Sequence, residues 1–127
     1  MRLRLALCAT VLLLGGCSMF GGKPRYSVYF RPYSADLDAQ ATSTIHTAAD
    51  YAMAHRTQAV FVTGYAAPPD PGKDIDGLSA QRADAVTKAL TADGVNPNRI
   101  VTTARGTTDP GELPSVSVRR VDIRFGS

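Results

Sequence analysis

Apolar and polar positions along this chain follow two periods, and the switches between them mark its elements. Tyr26, Val28 and Phe30 recur at every second residue, the period of a strand with one buried face. Pro32 closes that strand, and Asp36 is placed to cap the next segment. From Leu37 to Ala54 the period is helical: Leu37, Ala41, Ile45, Ala48 and Ala52 fall within about 80° of one another on a helical wheel. His46 and Asp50 lie on the far side, so His46 reads as solvated. Gln58 to Tyr65 is apolar enough to be a central strand. A second helix runs from Leu78 to Ala92 and ends at Asp93 and Gly94. Asn96 to Asn98 is a turn, Ile100 to Ala104 a third strand, and Arg105 to Pro114 a loop. Val121, Ile123 and Phe125 alternate with Arg120, Asp122 and Arg124, as in a last strand buried on one face. Val116 and Val118 are out of phase with that run, which predicts a bulge or a change of element near Arg119. The predicted class is α/β, an α+β sandwich in the order strand, helix, strand, helix, strand, strand, with both helices on one face of a small mixed sheet.

The first residues fit none of these periods. Met1 to Arg4 is basic and Leu5 to Leu14 is an apolar run of about ten residues, within signal-peptide range and too short to span a bilayer. It ends in Leu14, Gly15, Gly16 and Cys17, which resembles the bacterial lipobox, where cleavage precedes a Cys that becomes acylated. That resemblance divides the chain into a signal peptide at 1–16, a lipidated Cys17 with a short tether at 17–25, and one domain at 26–127. Ser18, by the rule of that family, implies sorting to the outer membrane, with the domain facing the periplasm. Ser18 to Arg25 reaches at most about 26–29 Å.

This processing changes the composition that matters. Cys8 leaves with the signal and Cys17 carries lipid, so neither disulfide nor thiol chemistry is expected. Losing Arg2 and Arg4 from 14 basic residues leaves 12 against 11 acidic ones, and nothing suggests a nucleic-acid partner. Enzyme chemistry is not legible either. No Gly-x-Ser-x-Gly and no nucleophile triad appears, and no Cys/His set has zinc spacing. Pro68, Pro69 and Pro71 would remove amides that a phosphate-binding loop needs. Asp70, Asp74 and Asp76 crowd one loop but lack calcium-loop spacing and its closing Glu. Neither a cofactor nor a metal is expected.

One residue breaks its pattern. With Leu78 at 0°, Val86, Ala85, Ala89 and Leu90 form the apolar stripe of the second helix, and Arg82 falls inside it at about 40°. Arg82 also lies in the first turns, where the helix dipole opposes a cation. The pattern predicts an anion for it.

Several runs together resemble the OmpA-like domain, the peptidoglycan-associated module of outer-membrane proteins, Pal-type lipoproteins and flagellar stators. These are Val28 to Phe30, Ser34 to Leu37, Val60 to Gly64, Leu78-Ser-Ala-Gln-Arg82-Ala83, Gly94-Val95, Arg99-Ile100 and Arg119-Arg120-Val121-Asp122-Ile123. The resemblance spans about Tyr26 to Phe125. It implies a domain that binds the diaminopimelate of the peptidoglycan stem peptide, with the Arg of Leu-Ser-x-x-Arg-Ala on the ligand carboxylate and an Asp after the second strand on its ammonium. Here the Arg is Arg82, and bidentate pairing suits that role. The Asp position is Ala67, and two positions that are usually Asn are Ile75 and Val118.

The residues leave two readings open. In one, the domain binds peptidoglycan through Arg82, with Asp70, Asp74 or Asp76 replacing the absent Asp and with Tyr65 and Arg119 beside the site. In the other, it is an envelope scaffold for another membrane or periplasmic protein, and Arg82 pairs within the chain with one of those Asp residues.

Overall fold

The computed structural model describes residues 21–72 and 75–126. The predicted signal peptide, Cys17, the start of the tether and Asp74 lie outside the described residues. The elements are β1 (Arg25–Tyr29), α1 (Ala39–Ala54), β2 (Ala59–Ala66), α2 (Leu78–Ala92), β3 (Ile100–Thr107) and β4 (Arg120–Gly126). Their order is the predicted one. The sheet runs β1-β4-β2-β3. β4 is antiparallel to both β1 and β2, and β2 and β3 are parallel, so α2 is the crossover of a β-α-β unit.

Alternation sorts the strand residues as predicted. Val28, Val60, Val62, Val121, Ile123 and Phe125 pack with Ala41, Ile45, Ala48, Ala49 and Ala52 of α1 and with Ala83, Val86 and Leu90 of α2 in one core. The small side chains of α1 let it lie close on the sheet. α2 comes closer still at Gly64, where a Cβ would sit 2.1 Å from the Ser79 carbonyl oxygen. A side chain there would push α2 off β2.

The boundaries differ in instructive ways. α1 begins at Ala39 and its cap is Asp38, whose carboxylate accepts from the Ala41 amide at 2.8 Å. Asp36 does not cap; its own amide donates to Ser34 Oγ. In α2 the buried alanine is Ala83, while Ala85 is partly exposed. β3 continues to Thr107, through the start of the predicted loop, because β2 keeps pairing with it past an irregularity between Gly64 and Ala66. The change of element before Arg119 is a 3-10 turn at Ser115–Val118. His46 is exposed but not solvated alone: its Nδ1 lies 2.7 Å from Asp93 Oδ2 at the end of α2.

The register also fixes two ends. Arg25 opens β1 beside Arg124, near the close of β4, and Ala59 opens β2 beside Gly126. The chain therefore enters the domain at one end of the sheet. β1 and β2 finish, and β4 begins, at the other end.

Candidate ligand site

At that second end, the segments after β1, after β2 and before β4 converge on the start of α2. Between them lies a pocket of about 150 Å³, lined by Pro32, Tyr33, Ala67, Pro68, Asp70, Ile75, Leu78, Ser115 and Arg119. Its walls mix apolar side chains with the polar groups of Tyr33, Asp70, Ser115 and Arg119, an acid and a base among them.

Arg82 lies behind this lining. Its side chain is fully buried, and its hydrogen bonds go to the main chain. Nε donates to the Ser34 carbonyl at 2.8 Å, Nη1 to Tyr65 at 3.1 Å and Nη2 to Arg31 at 3.1 Å. The guanidinium also lies 5.2 Å from the centre of the Phe30 ring. The carbonyls of Arg31 and Ser34 belong to the segment that leaves β1, and that of Tyr65 lies in β2 at the irregularity between Gly64 and Ala66. A planar fork of five N–H groups can reach all three at once. The anion expected for Arg82 is thus replaced by carbonyl dipoles. Burial first, and the neighbouring positive charge of Arg119 second, lower its pKa to about 10, so it stays charged at neutral pH.

Arg119 is the cation that lines the pocket. Nε donates to the Phe30 carbonyl at 3.2 Å and Nη1 to Ser115 Oγ at 2.5 Å. These bonds hold the guanidinium at the rim and leave donors on Nη2 for a ligand.

Asp70 is the acid. Tyr33 Oη donates to Asp70 Oδ2 at 2.5 Å and accepts from the Asp70 amide at 3.0 Å. The doubled contact fixes the carboxylate against a loop containing three prolines. Donating to this carboxylate raises the pKa of the Tyr33 hydroxyl. Tyr33 adopts a φ of 56°, in the left-handed region that non-glycine residues rarely enter.

The other candidate residues are placed differently. Asp76 is exposed and outside the pocket lining. Tyr65 contributes its carbonyl to Arg82, while its ring lies under Arg120, 4.8 Å from ring centre to Cζ. Ala67 and Ile75 do line the pocket, as the motif spacing implies, whereas Val118 is buried. Tyr33 escaped the sequence reading, because only the return of the β1 exit loop onto the Pro-rich loop brings it to Asp70.

Residues 29–124 match the OmpA family. The chain belongs to that family. Solved OmpA-like structures share its fold. The peptidoglycan-associated lipoprotein from Burkholderia pseudomallei is 23% identical over 79% of this chain and 89% of that one, with a TM-score of 0.67. The OmpA-like domain of FopA1 from Francisella tularensis is 23% identical over 79% of this chain and 70% of its own, with a TM-score of 0.69. The C-terminal domain of Helicobacter pylori MotB is 22% identical over 84% and 87%, with a TM-score of 0.71. No curated protein matches the chain. In this OmpA-family domain, then, the motif arginine is tied to the main chain, and the pocket in front of it offers Asp70 and Arg119.

Proposed function

We propose that this chain is a lipid-anchored outer-membrane protein whose OmpA-like domain holds the diaminopimelate of the peptidoglycan stem peptide in the pocket between Asp70 and Arg119. One observation carries the proposal: a small pocket with mixed polar and apolar walls presents one carboxylate and one guanidinium, matching a side chain that ends in an ammonium and a carboxylate. Asp70, held by Tyr33, takes the ammonium in place of the absent Asp at Ala67. Arg119 takes the carboxylate. Arg82 contributes its charge from behind the wall rather than a direct bond. An anion in the pocket would also relieve the repulsion between the two guanidiniums.

The topology supports an anchored arrangement. The tether enters at the start of β1 and the pocket follows its end, so the five-residue strand separates them by about 17 Å. Among the described residues no helix is long and apolar enough to cross a membrane, and attachment rests on acylated Cys17. Mass spectrometry of the mature N-terminus tests this. Diacylated Cys17 supports the anchor, and a free N-terminus elsewhere refutes it. Cys17→Ala should release the protein into the periplasm.

The binding claim is tested by titrating stem peptides containing diaminopimelate or lysine, followed by amide shifts of pocket residues. Lysine keeps the ammonium and lacks the second carboxylate. The diaminopimelate peptide should bind and shift Arg119 and Tyr33, with weaker binding for lysine. No response to either peptide contradicts the proposal and leaves the scaffold reading, which Ala67, Ile75 and Val118 favour at positions that the family motif makes polar.

A further inference from the structure

The sheet has a second face that the helices do not cover. By register it presents Arg25, Ser27 and Tyr29 from β1, Arg120, Asp122 and Arg124 from β4, Phe61, Thr63 and Tyr65 from β2, and Val101 and Thr103 from β3. Three of these groups meet at one carboxylate: Asp122 is buried under Arg25, Arg120 and Arg124, which lie 2.5, 3.1 and 3.8 Å away. Asp122 is the one acidic residue in the four strands, so the cluster keeps two positive charges in excess. Arg25 and Arg124 stay about half exposed. Tyr29, Phe61 and Val101 are exposed beside them, at 51%, 40% and 48%. The helix layer carries no such excess: Asp50 and Asp84 are offset by Lys88 and the buried Arg82.

We propose that this open face is a docking surface for an anionic phospholipid bilayer. Guanidiniums surrounded by exposed aromatic and aliphatic side chains suit the headgroup region, where phosphates pair with the charge and the rings enter the acyl boundary. The charge difference between the two faces turns the cationic one toward an anionic surface. Arg25 follows Cys17 by eight residues, within about 29 Å of chain, so the face starts next to the point of attachment. The proposal rests on the reading of Cys17 as acylated for this proximity, and its chemistry stands without it. Leu78 of α2 lines the pocket, so the pocket lies toward the helix layer and remains open when the sheet face is down.

The chain contains no tryptophan, so Phe61→Trp places a single reporter on this face. The full chain, purified from its host cells, is reconstituted with vesicles of phosphatidylcholine alone or with one third phosphatidylglycerol. Flotation reads attachment, and quenching by brominated lipid reads the face. The expected result is flotation with both vesicles and quenching only with phosphatidylglycerol, reversed by high salt. Thr103 lies on this face outside the ion pairs, so Thr103→Arg should raise and Thr103→Glu lower the quenched fraction's ratio by about fivefold per charge. Flotation with both vesicles and no quenching in either overturns the docking proposal and leaves the anchor intact. Quenching with phosphatidylglycerol but no flotation on phosphatidylcholine supports the face and removes the anchor. An indole unmoved by either vesicle but shifted by polyglutamate assigns the face to an acidic protein and overturns the bilayer.

Discussion

Among the described residues two charges are buried, and the domain satisfies them in opposite ways. Arg82 lies at the pocket end of the sheet and gives its hydrogen bonds to three main-chain carbonyls. Asp122 lies in the open face and takes its bonds from side chains, Ser27 Oγ at 2.8 Å and the guanidiniums of Arg25 and Arg120. The cation ties a loop to a strand, because it holds two carbonyls of the segment leaving β1 and one near the end of β2. The anion fixes a surface, because it draws the side chains of Arg25, Arg120 and Arg124 onto one face. A buried charge in a family motif is therefore weak evidence for a ligand of opposite charge until its main-chain partners are known.

The difference can be broken first at Arg82. Arg82→Leu removes the guanidinium from the carbonyls of Arg31, Ser34 and Tyr65, leaving Arg31 only the Ser34 amide, and should cost about 3–5 kcal/mol, as loss of one side of a buried charged network does. The midpoint of thermal unfolding should fall by more than about 10 °C. Arg82→Lys keeps the charge but cannot span three carbonyls, and should fall between the wild type and Leu.

Asp122→Asn comes next, at about 1–3 kcal/mol, because its arginine partners are partly exposed and recover solvation. Acid titration sharpens the point. Burial raises the pKa of Asp122, but hydrogen bonds from Ser27, then Arg25, then Arg120 outweigh it and leave the pKa below the ordinary carboxylate value. A depressed folded pKa contributes stability that is present above the unfolded value, near 4, and is lost as pH falls through the folded one. The wild type should lose this contribution in acid below about pH 4, and Asp122→Asn should show a flatter profile there.

The smallest effects on stability are expected in the pocket. Asp70→Asn should leave the unfolding midpoint within about 0.5 kcal/mol of wild type, because the residue is exposed, while it weakens wall binding by about 1.5–3 kcal/mol. Ala67→Asp adds a carboxylate to the pocket wall and should strengthen binding by about 1–3 kcal/mol.

The parts of this molecule that were legible in the sequence are those set by periodicity. The helix from Leu78 to Ala92 and the alternation of Val121, Ile123 and Phe125 each report one buried face, and one face is all that a period encodes. The mismatch at Val116 and Val118 correctly located the short 3-10 turn. The N-terminus of α1 was less legible, since Asp36 and Asp38 both suit a cap and only backbone geometry chooses between them. Asp122 read as a solvent-facing residue of an alternating strand. It does point away from the helices, but arginines from two strands cover it, and cross-strand partners are invisible before the register is known. For Arg82 the sequence exposed the anomaly but not its resolution, because carbonyls carry no residue identity. The site was half legible: Asp70 and Arg119 were among the candidates, and Tyr33, which holds Asp70, was not.

On the proposed function, Arg82 serves the fold while Asp70 and Arg119 serve the ligand. Sedimentation with isolated peptidoglycan, paired with the thermal midpoint of each protein, tests it most directly on wild type, Asp70→Asn and Arg119→Gln. Wild type should sediment with the wall, and both variants should bind at least about tenfold more weakly. The unfolding midpoint of Asp70→Asn should stay at that of wild type, and Arg119→Gln should fall by much less than Arg82→Leu. Wall binding by both variants at the wild-type level, or no binding by wild type itself, would contradict it.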